Sequence, residues 1–414
     1  MPHFQDSDGD GIGDLGGINQ RIDYLEQLGI SALVLSPIFA ASLRDGEFDP
    51  QDFMELEPRF GTVQELANLA GRLRACDIKL IIEYCPLYTS DQHTWFEQER
   101  QDRYGSASDK YVWKPSAEGD EWAWDEVRES YYLFHGRRTR PVLNSANQRL
   151  SRYWQSVLNH WSQYGVDGIR STQDGVVMFA HSAGLSPYSV SLPNDTHGEA
   201  MRTIIDESSR IDANGDAHIY LRHTLGSSYD AANSFEKSRL LTLVQLTLRG
   251  LPQVQYGQEL GYSQASLIMP WNNDNEAGFT KGTAWMPISP EAYRNNVHMQ
   301  YADPESTLSL ATHLLQLRKN SPALRYGDYH SIQLPDRDVF AFVRETELQR
   351  IFVVANLSAK KKIIHLSPRV GAWVAGSHLA MGDGLAPSGK PVSLAPYEGR
   401  VYEAMTKHGH SKSA

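Results

Sequence analysis

Cysteine is nearly absent: Cys76 and Cys85 are the only two in 414 residues. Neither a disulfide framework nor a thiolate metal cluster follows from such a pair. No apolar run reaches transmembrane length, and the opening MPHFQDSD has none of the basic and apolar regions of a secretory signal. The expected compartment is therefore the cytoplasm, with no membrane partner. Basic charge is also in deficit. Lys and Arg number 39 against 50 for Asp and Glu, a formal charge of −11. That balance excludes nucleic acid as an expected partner.

What is present is a globular chain. Its length suggests two or three domains, and 41% hydrophobic residues with nine Trp and 20 Tyr suffice for sizeable cores. The first distinctive stretch is DSDGDGIGD, in which Asp6, Asp8, Asp10 and Asp14 crowd four carboxylates into nine residues, with glycines at 9, 11 and 13. Like charges repel at that density, and a hard cation held by carboxylate and carbonyl oxygens would relieve them. The spacing is not that of an EF-hand. Counted from Asp6, position 12 is Gly17, where the bidentate Glu should stand. A solvated acidic turn is the plainer alternative.

Helix and strand signals then alternate. Apolar residues at 18, 22, 25 and 28 predict a helix ended by Gly29, and SALVLSP reads as a buried parallel strand. A helix over Val63–Ala75 leads to the strand IKLIIEY. The rhythm fails in the polar, Trp-rich stretch 89–145, which reads as an inserted domain. SRYWQSVLNHWSQY feeds the strand GVDGIRS, a helix near 200–210 feeds AHIYLRH, and KSRLLTLVQLTLRG feeds PQVQYGQELG. Such alternation predicts an α/β barrel, spanning 1–88 and 146–327, with its site at the strand C-termini. From 328 to 404, DVFAFVRE, RIFVVANLS and KKIIHL alternate apolar and polar residues, the pattern of an antiparallel β domain. Residues 405–414 read as a tail.

The ordered motifs QDSDGDGIGDLGGI, LSPIF, EFDPQDF, PRFGT, TSDQHTWF, GVDGIR, PQVQYGQELG and MPWNNDNEAGF resemble glycoside hydrolase family 13, the α-amylase superfamily. Within it they are most similar to the α-glucosidase and oligo-1,6-glucosidase branch. The resemblance covers roughly residues 4–404. It implies a (β/α)₈ TIM barrel, a domain inserted after strand 3 and a C-terminal antiparallel β-sandwich. It also implies that Asp6, Asp8, Asp10, the Ile12 carbonyl and Asp14 hold a structural Ca²⁺ or Mg²⁺.

The family chemistry is retaining hydrolysis of α-glucosidic bonds, which needs a nucleophilic carboxylate facing an acid/base carboxyl. Measured against that requirement, three carboxylates are missing. In GVDGIRST, Thr172 occupies the nucleophile position two residues after Arg170; in LRHT, Thr224 follows His223 where an Asp belongs. A Thr hydroxyl cannot lend carboxylate charge to an oxocarbenium ion. No VGE-like strand end supplies the acid/base Glu between 172 and 223, where Glu199 and Glu207 lie in helix-like or loop contexts. EYCPLY carries Tyr88 in the place of a His. Asp174 lies two residues beyond Thr172, roughly 7 Å along a strand and too far to replace it.

Some sugar-contact positions survive by resemblance: Asp49, with Phe48 beside it in place of a Tyr, Arg170 and His223. Persistence for structure alone is the competing explanation, since a buried Arg is costly to orphan. The barrel also reads as incomplete, without recognisable strands 1, 5 and 6. Unpaired edges of an open barrel invite a protein partner or a second copy. The expectation is an inactive pseudo-glycosidase of carbohydrate metabolism that binds α-glucosides or malto- and isomalto-oligosaccharides weakly. The alternatives are an active retaining α-glucosidase and a decayed gene product.

Overall fold

The computed structural model describes residues 1–44, 47–103, 109–171, 177–179, 189–192, 201–203, 205–206, 222–225, 234–262, 268–379 and 381–405. These form two compact units whose main spans are 31–185 and 186–414, with the first thirty residues divided between them.

The first helix, α1 (Leu15–Gln20), starts where the Asp14 carboxylate accepts the Gly17 N–H at 2.6 Å. The single helix expected over 18–28 is in fact broken. Arg21 leaves helical geometry at φ −109°, its Nε donating to Gln5 Oε1 at 2.7 Å, and α2 (Ile22–Leu28) resumes beyond it. Gly29, at φ +86°, supplies the left-handed residue that ends it.

In the first unit, strand β1 (Ala32–Leu35) precedes an antiparallel ribbon of β2 (Phe39–Arg44) and β3 (Glu47–Leu56). Helix α3 (Val63–Ala75) opens with a reciprocal capping box between Thr62 and Glu65 and buries Leu66, Leu69, Ala70 and Leu73. It leads into β4 (Lys79–Tyr84), which runs parallel to β1 with Val34 opposite Ile81.

The Trp-rich stretch folds as helix α4 (Thr94–Gln101) and three short antiparallel strands. These are β5 (Trp113–Lys114), β6 (Trp122–Asp125) and β7 (Ser130–Leu133), in the order β5-β7-β6. Phe96 stacks on Trp113 at 5.3 Å. Glu99, fully buried, accepts the Lys110 N–H and the Trp113 indole N–H at 2.5 and 2.9 Å.

Helix α5 (Gln148–Ser162) buries Leu150, Trp154, Val157, Leu158 and Trp161, one stripe at helical spacing. Strand β8 (Gly168–Ser171) then joins β4 in parallel. The next strand, β9 (Val177–Phe179), is antiparallel to β8, so the sheet β1-β4-β8-β9 ends on a reversed edge.

The second unit contains a parallel pair, β10 (Ser189–Leu192) and β11 (Arg222–Leu225). The helix Ser234–Thr247 follows. The strand expected from PQVQY does not form: residues 252–256 carry no strand. Their backbone polar groups bond to side chains instead, Gln245 Nε2 donating to the Gln253 carbonyl at 2.7 Å and the Gln255 N–H donating to Gln258 Oε1 at 3.1 Å.

The C-terminal strands are β12 (Asp328–Ile332), β13 (Val339–Glu345), β14 (Gln349–Asn356), β15 (Lys362–Ile364), β16 (Ala372–Gly376), β17 (Val392–Leu394) and β18 (Gly399–Met405). Five form an antiparallel sheet in the order β12-β13-β14-β18-β16, and β15 pairs with β17. Phe340 and Phe342 face Leu240 and Leu243 on one side, while Val339 and Ala341 face Ile364 and Leu394 on the other. Both faces of the sheet are thereby covered, so β13 and β14 are almost continuous apolar runs and not the apolar–polar alternation expected from sequence.

Candidate functional site

The parallel register of β4 and β8 sets Glu83 beside Arg170. Their side chains form an ion pair in which Arg170 is buried and Glu83 retains slight exposure. Glu83 was not among the site residues expected from sequence. Its signal was the acid at the head of EYCPLY, where the family motif carries an Asp.

Asp49 lies on β3 and is 1% exposed. Its Oδ1 accepts Arg140 Nε at 2.6 Å and its Oδ2 accepts the Thr139 hydroxyl at 3.2 Å. The Arg140 guanidinium also sits 5.0 Å over the Tyr88 ring, which stacks on His135 at 5.4 Å. Tyr88 and Val142 are joined by an antiparallel bridge, so the inserted segment returns its own cation to the strand end. The surviving acid and cation are thus each engaged inside the fold, Asp49 by Arg140 and Arg170 by Glu83.

Thr172 lies outside the described residues, as do Asp174, Glu199 and Glu207. Phe48 is placed by its backbone in β3, opposite Leu43. His223 and Thr224 stand in β11, opposite Val190 and Ser191. The side chains of these three residues lie outside the described set.

The acidic loop brings carboxylate oxygens of Asp6, Asp8 and Asp14 within 4.8 Å of one another. Asp6 and Asp14 are buried and Asp8 is exposed. Asp14 also accepts the Ser7 N–H at 2.9 Å, and Asp8 accepts the Asp10 N–H at 3.0 Å. Asp10 and Ile12 belong to the same loop, and the Asp10 N–H is held by Asp8. Glycine is required at position 11, where φ is +91° and a Cβ would meet the Thr283 carbonyl oxygen at 2.1 Å. Three hard oxygen donors at this spacing suit Ca²⁺ or Mg²⁺.

A family model described as alpha amylase, catalytic domain, matches residues 2–213 and 216–327. The oligo-1,6-glucosidase of Bacillus cereus is 24% identical, with 88% of this chain and 90% of that protein covered. The alignment runs over 501 positions, more than the 414 residues here, so that relative carries segments with no counterpart in this chain. The human amino acid transporter heavy chain SLC3A1 is 23% identical, covering 98% of this chain and 76% of its own length. Among solved structures, the trehalulose synthase MutB from Pseudomonas mesoacidophila MX-45 superposes with a TM-score of 0.83 at 21% identity, over 97% of each chain. These likenesses establish the α-amylase fold, a barrel with a C-terminal β domain.

Proposed function

Because the chain belongs to the alpha-amylase family, we propose that it is an α-glucosidase-like pseudo-glycosidase, which binds α-glucosidic sugars weakly and does not hydrolyse them. The observation that carries this reading is Thr at both 172 and 224, where two catalytic acids belong. The two-carboxylate retaining mechanism has no route without its nucleophilic carboxylate. The internal pairing of Asp49 with Arg140 supports the weakness of binding, since a sugar hydroxyl must compete with a guanidinium for the same carboxylate. The reversed β9 beside β8, and the segments of the Bacillus cereus relative with no counterpart here, support the same reading. Asp6, Asp8 and Asp14, with Asp10 and the Ile12 carbonyl on the same loop, would hold the divalent cation. When bound, it would neutralise their mutual repulsion.

Titration calorimetry with glucose, maltose and isomaltose tests the binding half of this proposal. Affinity on the order of millimolar is expected, lost on Asp49→Ala. No binding at tens of millimolar by a folded protein would contradict it. A protein-partner role is the second reading, favoured by the likeness to the transporter heavy chain.

A further inference from the structure

We propose that one face of the three-stranded sheet β5-β7-β6 is a docking surface for a basic segment of a partner protein, with a Lys or Arg side chain seated on Trp124. The register fixes what each face carries. Tyr131 stands opposite both Lys114 and Trp124, and Trp122 stands opposite Leu133. Alternation along the strands puts these five side chains on one face. The other face carries Ala123, Asp125, Ser130 and Tyr132, all buried, and Trp113, which stacks on Phe96 of α4. The packed side therefore lies opposite Trp122 and Trp124. Trp124 is 48% exposed, and Val127 in the adjoining hairpin turn is also exposed. An exposed Trp beside a second apolar side chain is the kind of residue that anchors a protein interface.

The chemistry that these indoles take is visible within the sheet. The Arg128 guanidinium lies 4.5 Å from the centre of the Trp113 ring, and the Lys114 ammonium lies 4.5 Å from that of Trp122. Among the described residues no cation lies over Trp124, the most exposed of the three. The charge around it is complementary to one. Between 114 and 133 there are six acids and two bases. Asp125 is already engaged, by Arg100 at 2.7 Å and by the Arg128 N–H at 2.8 Å, which holds the turn 126–129 in shape. Glu118, Asp120, Glu121, Glu126 and Glu129 are exposed, and among the described residues no base pairs with them. Glu126 and Glu129 belong to the turn that begins one residue pair beyond Trp124 and Tyr131. A cation on an indole face gains from the ring quadrupole, and the surrounding carboxylates steer it there. A turn already ordered in the free protein lowers the cost of docking. The proposal rests on the protein-partner reading above and uses none of the sugar-site residues.

The test is a fluorescence-anisotropy titration of the full chain into a labelled, end-capped peptide of six lysines. The same peptide acetylated at every lysine is the uncharged control. Binding of the lysine peptide on the order of 0.1 mM at low salt is expected, with none of the control. Trp124→Leu should weaken it about 5- to 10-fold, the worth of one well-placed cation–π contact. The double variant Glu126→Gln with Glu129→Gln should weaken it as well. Glu291→Gln with Glu305→Gln removes the same charge from exposed positions of the second unit and should leave it nearly unchanged. Circular dichroism identifies any variant that fails to fold, and the two double variants carry the test without Trp124. Equal losses from those two would assign the binding to the net charge of −11 and overturn the surface. Binding unchanged in Trp124→Leu, or equal binding of the acetylated peptide, overturns the cation seat. No binding of the lysine peptide by the parent chain at about 2 mM overturns the basic partner along with the surface.

Discussion

Asp49 and Arg140 lie 91 residues apart in sequence, yet they meet at 2.6 Å, with the carboxylate 1% and the guanidinium 12% exposed. Removing one partner of such a pair leaves a charge buried without compensation, at a cost of about 3–5 kcal/mol. Arg140→Ala is expected to lower unfolding stability by that order in urea titrations. The double variant Asp49→Asn with Arg140→Met should recover much of the loss. Equal losses from the single and double variants would show that the pairing contributes little.

The acidic loop predicts a metal response. A cation bound only by the folded chain stabilises it by about 2.7 kcal/mol when present at 100 times its dissociation constant. Ca²⁺ or Mg²⁺ added after chelation should raise the melting temperature. Asp8→Ala should abolish that rise with little effect on the metal-free protein, because Asp8 is exposed. Asp14→Ala should also lower the metal-free melting temperature, since it removes the cap of α1, worth about 1 kcal/mol. A melting temperature indifferent to both cations would leave the loop as an acidic turn.

Glu259 predicts a pH dependence of stability. Burial pushes its carboxyl up to about 7, opposed by the Tyr24 hydroxyl, which donates to it at 2.7 Å, and by the backbone N–H groups of Glu259 and Gly257. The folded state therefore holds a proton that the unfolded chain releases near its ordinary pKa of about 4.3. Stability contributed by this group is complete below that pH and is lost as pH rises through about 7. The loss is on the order of 3 kcal/mol. Glu259→Gln should flatten the decline between pH 4.5 and 7 in denaturant titrations compared across pH. A variant whose decline matches that of the parent would remove Glu259 as its source.

Local signals were legible where the residues that decide an element lie within it. Thr62 and Glu65 mark the start of α3, and its apolar stripe runs to its end. The core strands β1 and β4 are short apolar runs closed by turns, and β13 and β14 carry enough β-branched and aromatic residues to declare themselves. The Trp-rich stretch concealed its strands because in β6 the aromatics take the more exposed face: Trp122 and Trp124 alternate with buried Ala123 and Asp125, which inverts the usual apolar–polar period. PQVQY has the composition of a strand, but Gln245 and Gln258 capture its backbone groups from outside the segment. The engagement of Asp49 was hidden for a related reason. Its partner Arg140 comes from the far end of the inserted segment, and Arg170 finds Glu83 only once β4 and β8 are in register.

The central claim is that the scaffold of a glycosidase persists here without its reaction. Losing one catalytic group commonly costs several orders of magnitude in rate, and the proposal places Thr172 and Thr224 at two of the acid positions. The direct measurement is release of glucose from maltose and isomaltose, and of the chromophore from an aryl α-glucoside, at millimolar substrate with the cation present. The account predicts release at the rate of the buffer blank. Turnover of about 1 s⁻¹ or faster, ordinary for an enzyme, would contradict it.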